Sequence, residues 1–145
     1  MTPTHRKTWL WLLFGGYCAL MLWLLYLQRL GTGPGPWQFN LQPLDTVGRF
    51  LWVLRHSADA GQRNNAAANL FGNVVLFVPL GVFLPMLRAT WQPFWRFLLR
   101  IFLVILVLEL TQAATGLGTC DVDDLILNLA GTLLGWLSWR FLRRS

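Results

Sequence analysis

Glu109 follows eight apolar residues, Ile101 to Leu108, and Gln112 stands three positions further on, so a carboxylate and an amide share one helical face in an oily segment. An ionisable side chain near membrane depth is costly, persists when paired, hydrated or used, and marks a functional site by default. Other segments supply polar groups that could meet it. Asn69 and Asn73 are four apart, and Asp121, Asp124, Asn128, Gly131 and Gly135 step by threes and fours along one stripe. Amides and carboxylates brought together could recognise a polar headgroup through hydrogen bonds. They could also do acid–base work, with Glu109 as acid or base and Asp121 or Asp124 as its partner or as a cation site, because burial can raise a carboxyl pKa. The chain lacks a recognisable nucleophile with its base and a His-containing metal motif; His56 has no ligand constellation around it. A non-enzymatic role is therefore favoured, with no cofactor and no metal expected.

These residues must be positioned by membrane helices. The chain has 145 residues, 55% hydrophobic and 12% charged, which leaves room for one domain and no separate soluble module. Four stretches approach the ~20 residues a spanning helix needs: Trp9 to Leu27, Ala66 to Leu87, about Trp95 to Ala114, and about Leu125 to Leu142. The first follows a short basic stretch but exceeds the ~7–15-residue apolar core of a signal peptide and lacks a clear cleavage site, so it reads as a retained helix. Gly15, Gly16 and Cys18 within it suit close packing. Cys18 and Cys120 fall at different expected depths, and their spacing matches no metal site and suggests no disulfide.

The net charge of +6 does not point to nucleic acid, because the basic residues sort by topology instead of forming a patch. With a cytoplasmic N-terminus, Arg6, Lys7, Arg88, Arg96, Arg100, Arg140, Arg143 and Arg144 lie inside, and Arg29, Arg49, Arg55 and Arg63 lie outside, as the positive-inside rule prefers. Trp9, Trp11, Trp91, Trp95, Trp136 and Trp139 then fall at cytoplasmic helix ends, where indoles sit at headgroup level. Glu109 is about fourteen residues beyond Trp95 and so lies ~21 Å above that interface, in the outer part of the ~30 Å slab. Asn69, Asn73, Gln112, Asp121, Asp124 and Asn128 belong to the same layer.

Between the first two spans lie about forty residues, too many for a simple turn. Gly31 to Pro43 is rich in Gly and Pro and cannot be a regular helix. Leu44, Val47, Phe50, Leu51 and Leu54 then recur at helical spacing, which predicts a short amphipathic helix on or dipping into the outer surface. Ser57 to Asn65 reads as polar loop. The expected architecture is an all-α membrane protein: four transmembrane helices with this extracytoplasmic amphipathic or re-entrant helix between the first and second. Pro79 inside the second span predicts a kink near Val75 to Pro79. Plainer roles stand beside the functional ones: Asp121 or Asp123 capping the fourth helix, Asn69 capping the second, Asn73 and Asn128 as interhelical glue, and the glycines as a packing face. Counter-ions for Glu109 are sought among Arg49, Arg55 and Arg63.

Three stretches carry a resemblance: NLFGNVVLFVPLGVFLP (Asn69 to Pro85), ELTQ (Glu109 to Gln112) and DVDDLILNLAGTLLG (Asp121 to Gly135). In that order and spacing they resemble the VanZ-like family of bacterial membrane proteins, over nearly the whole chain and most strongly over residues 66–142. The resemblance implies a protein of the bacterial cytoplasmic membrane, and the charge pattern above puts both termini of its four passes on the cytoplasmic side. The family's founding member is associated with resistance to the glycopeptide teicoplanin, without an established enzymatic activity. Asn69 and Asn73 match the family's Asn-rich opening, Pro79 to Gly81 its Pro-Leu-Gly turn, Glu109 and Gln112 its Glu and Gln, and Asp121, Asp124 and Asn128 its Asp-x-x-Asp-x-x-x-Asn. Many relatives carry an arginine three residues before the first of those aspartates; here the position is Gly118, so a counter-ion is missing from its usual place. The convergence of amides and acids on the outer side points to membrane lipids or a lipid-linked cell-wall precursor as partners. The sequence does not fix the oligomeric state.

Overall fold

A computed structural model describes residues 3–27 and 39–144. Among these residues five α-helices run α1 (Pro3–Leu25), α2 (Asp45–His56), α3 (Ala60–Leu87), α4 (Phe94–Thr115) and α5 (Val122–Leu142). Two-residue strands β1 (Phe39–Asn40) and β2 (Cys120–Asp121) pair in parallel, Phe39 opposite Cys120 and Asn40 opposite Asp121. Four helices, all but α2, are long and apolar enough to cross a membrane. The fold is thus all-helical in its essentials, and α2 is the expected short amphipathic helix. Residues 31–38 of the Gly/Pro-rich stretch, and Arg29, lie outside the described residues.

The centre of the bundle is the contact between α3 and α5, and it is made by glycines. A Cβ on Gly131 would overlap the Val74 carbonyl, one on Gly135 the Val78 carbonyl, and one on Gly81 the Thr132 carbonyl and Trp136 amide. The helices therefore meet backbone to backbone, the use membranes make of small residues where lipid gives no hydrophobic drive to association. The expected packing face on α5 is there, and Gly81 on α3 is its counterpart.

On α4, Phe97, Ile101, Ile105, Glu109 and Gln112 are all buried, stepping by fours and then three. That is one face of a helix. Phe97, Ile101 and Ile105 join Phe77, Leu80 and Trp136 in the apolar core, while Leu99, Leu103, Val107 and Leu110 face outward. Glu109 points inward because it continues the core stripe. Trp136, expected at headgroup level, is only 2% exposed and packs against Phe94 and Phe97.

One expected loop is helix. Only residues 57–59 separate α2 from α3, and α3 starts at Ala60 with the Asp59 carboxylate accepting from the Gly61 amide at 2.7 Å. Its 28 residues span ~42 Å at ~1.5 Å each, longer than a ~30 Å apolar slab, so exposed Gln62 to Asn65 form a polar extension of the same helix. Asn69 consequently caps nothing: it lies well inside α3, and its Nδ2 donates to the Asn65 carbonyl at 2.9 Å.

At the end of the bundle formed by the start of α1, the end of α3, the start of α4 and the end of α5, guanidinium groups lie over indoles: Arg88 on Trp11, Arg100 on Trp91, Arg140 on Trp136 and Arg143 on Trp139. The acidic groups, and the described amide side chains other than Gln92, gather at the opposite end.

Candidate functional site

At that opposite end the structure encloses a cavity of about 590 Å³. Asn69, Asn73, Glu109, Gln112, Asp121, Asp124 and Asn128, drawn from three helices and β2, all line it. Their exposure is graded. Glu109, Gln112, Asp121 and Asn128 are buried, Asn73 and Asp124 half-buried, and Asn69 exposed.

Hydrogen bonds fix the wall. Asn128 Nδ2 donates to Glu109 Oε1 at 3.1 Å, tying α5 to α4, and Asn73 Nδ2 donates to Asp124 Oδ1 at 2.5 Å, tying α3 to α5. Gln112 Nε2 donates to the Leu25 carbonyl at 3.2 Å, and the Tyr26 hydroxyl to the Leu108 carbonyl at 3.0 Å, which secures the end of α1. The two asparagines are interhelical bridges, and they also face the cavity. Among the described residues, Asn128 Oδ1 is buried without a hydrogen-bond partner.

Asp121 and Asp123 divide the capping work. Asp121 Oδ1 accepts from the Asp123 amide at 2.8 Å and caps α5, while Oδ2 accepts from Thr46 Oγ1 at 2.6 Å and Asn40 Nδ2 at 3.2 Å. Asp123 is fully buried and caps another helix: its oxygens accept from the Leu44 amide at 2.6 Å and the Val47 amide at 3.0 Å, at the start of α2. Leu44 holds φ 65°, a left-handed conformation that costs a leucine energy and persists only where its surroundings fix it. The Asp123 carboxylate is that fixture. Gly116, also left-handed at φ 67°, closes α4 as Leu117 N donates to the Gln112 carbonyl at 3.1 Å, turning the chain toward β2.

Asn40, Thr46 and Thr119 line the cavity as well, and sequence reading missed them. They arrive through the β1–β2 pairing and the docking of α2, which no local pattern announces. Of the three candidate counter-ions, Arg49 lines the cavity, whereas Arg55 and Arg63 do not. Arg49 is exposed at the mouth, Nη2 donating to Thr46 Oγ1 at 2.9 Å and Nε 3.3 Å from Asp45 Oδ2. A cation thus stands beside the acidic wall even though position 118 is glycine. Cys120, next to Asp121, is buried, and burial pushes its thiol above the ordinary range, with the negative charges of Glu109 and Asp121 adding to the shift. Among the described residues, no three His, Cys, Asp or Glu side chains converge closely enough to hold a metal ion.

Four apolar helices closing at one end on a polar cup define a multi-pass helical membrane protein. The family model described as VanZ/LLP1 matches residues 14–143, and the chain belongs to that family. No individual curated protein and no solved structure matches it.

Proposed function

We propose that the cavity faces the outer side of a bacterial cytoplasmic membrane and binds a lipid headgroup or the polar part of a lipid-linked cell-wall precursor, and that this binding influences glycopeptide susceptibility. The observation that carries the reading is the cavity itself: a polar hollow of about 590 Å³ at the end of an apolar bundle, walled by amides and carboxylates. Polar and ionisable groups in a membrane interior are rare and mark a functional site by default. Orientation rests on charge, since the opposite end gathers most of the arginines and the positive-inside rule places that end in the cytoplasm.

An enzymatic role for Glu109 as acid or base has less support. Asp121, one candidate partner, has both oxygens engaged in capping α5 and holding Thr46 and Asn40. The binding reading is tested with Glu109→Gln and Asp124→Asn. Both variants are expected to insert normally, to lose envelope-lipid binding in the cavity and to shift glycopeptide susceptibility. Normal insertion with lipid binding and susceptibility unchanged would remove the pocket's role. Turnover of a lipid-linked substrate that disappears in Glu109→Gln would favour the enzyme instead.

A further inference from the structure

Two hollows adjoin at the basic end of the bundle. One, of about 420 Å³, has Gln92, Trp139, Arg140, Arg143 and Arg144 in its lining. The other, of about 490 Å³, shares Gln92, Trp139 and Arg143 with it and is otherwise apolar, walled by Leu10 of α1, Val82, Pro85 and Met86 of α3, and Leu142 of α5. A hollow bordered by guanidinium groups thus opens beside an apolar groove.

Two of these guanidinium groups are held in place. Arg140 lies over the Trp136 ring, 5.0 Å from its centre, and Arg143 over Trp139 at 5.5 Å. Arg143 Nη1 also donates to Gln92 Oε1 at 2.7 Å, while Gln92 Nε2 donates to the Pro85 carbonyl at 3.2 Å, near the end of α3. Gln92 thereby braces an arginine of α5 from α3. A guanidinium carries five N–H donors in one plane, and a ring against its face leaves the edge to meet phosphate oxygens in bidentate pairs.

Charge selects among phosphate-bearing ligands. The six Asp and Glu residues of the chain, Asp45, Asp59, Glu109, Asp121, Asp123 and Asp124, all belong to the other end of the bundle. A zwitterionic headgroup would bring its ammonium among guanidinium groups, with no carboxylate side chain to receive it. A soluble phosphate ester would fill the first hollow and leave the groove unmatched. A ligand that uses both hollows carries net negative charge and a hydrocarbon chain.

We propose that this end of the bundle holds an anionic glycerophospholipid, its phosphate against Arg140, Arg143 and Arg144 and one acyl chain in the groove of Leu10, Val82, Met86 and Leu142. Basic pockets between helices on the cytoplasmic side are suited to anionic headgroups in general. The site is separate from the cup at the other end and does not rest on the reading given for it. Because α1 is the least buried of the four spanning helices, a chain lodged against Leu10 also ties α1 to α3 and α5.

The test places the full chain in nanodiscs of phosphatidylglycerol and phosphatidylcholine with matched acyl chains and reads retained lipid by native mass spectrometry. Phosphatidylglycerol is expected to be retained about tenfold or more over phosphatidylcholine, and Arg140→Ala/Arg143→Ala to lose most of that preference. Arg96→Ala/Arg100→Ala removes the same charge at the same end from residues that line neither hollow, and should keep the preference. Met86→Trp keeps every arginine but narrows the groove, and should lower retention. Glu109→Gln/Asp124→Asn should leave the preference intact. Arg140, Arg143 and Met86 are exposed, so their substitution spares the core, and the wild-type comparison needs no variant. Phosphatidylcholine held as tightly as phosphatidylglycerol overturns the proposal. So does equal loss in the two arginine pairs, which would mean diffuse attraction, or loss confined to the Glu109→Gln/Asp124→Asn variant, which would move the lipid to the cup. Undiminished retention in Met86→Trp overturns the groove as the acyl site. Soluble glycerol phosphate displacing the lipid at equal concentration overturns the lipid as the source.

Discussion

The pair α3–α5 is built in two contrasting ways along its length. Toward the basic, tryptophan-rich end, Gly81, Gly131 and Gly135 let the backbones touch, and a methyl group at any of them would strike a carbonyl. Toward the other end the same two helices are joined by a side-chain bridge, Asn73 to Asp124, beside a cavity. The packing is tightest where side chains are absent, and the helices are bridged by polar side chains where the cavity opens. A membrane bundle can carry an expensive polar cup because a tight seam elsewhere holds its walls in register.

That contrast can be broken from either end. The largest effect is expected from Gly135→Val, whose branched side chain meets the Val78 carbonyl. Overpacking costs about 1–3 kcal/mol even where side chains can yield, and backbone yields less, so folded protein should fall sharply in detergent-unfolding and size-exclusion measurements. Next comes Asp123→Ala, which strips the acceptor from the Leu44 and Val47 amides. A loss of about 1–3 kcal/mol is expected, read as faster protease cleavage around α2 with the spanning helices intact. Asn73→Leu removes one interhelical bridge, and such bonds average about 0.6 kcal/mol in membranes, so thermal unfolding should hardly move while lipid retention drops. The smallest effect is chemical. Thiolate is the species that reacts, and raising the Cys120 pKa lowers the thiolate fraction at a given pH, so maleimide labelling should lag behind a surface cysteine at neutral pH and keep rising into more alkaline solution. Labelling as fast as a surface thiol would show the cup to be more open than described.

Helical phase made much of this legible. The inward face of Glu109 and Gln112 follows from the same period as Phe97, Ile101 and Ile105, and topology alone sets Asn69, Asn73, Asp124 and Asn128 at matching depth. What was not legible lies in contacts between distant short pieces. The β1–β2 pairing involves two residues on each side, too few for a pattern, and Asp123 caps a helix about eighty positions away. The extension of α3 left a faint trace, since Asp59 followed three residues later by Gln62 has the form of a capping box. Its polar composition read as loop because a helix that outruns the membrane needs no apolar face.

The claim that the cup is a binding site is met most directly by native mass spectrometry of the protein released gently from its membrane, wild type beside a Glu109→Gln/Asp124→Asn double variant of equal helicity and thermal stability. The account predicts a discrete lipid adduct on the wild type that is lost from the variant, whatever both retain at the basic end. Adducts equal in number on both, or found on neither, would contradict it.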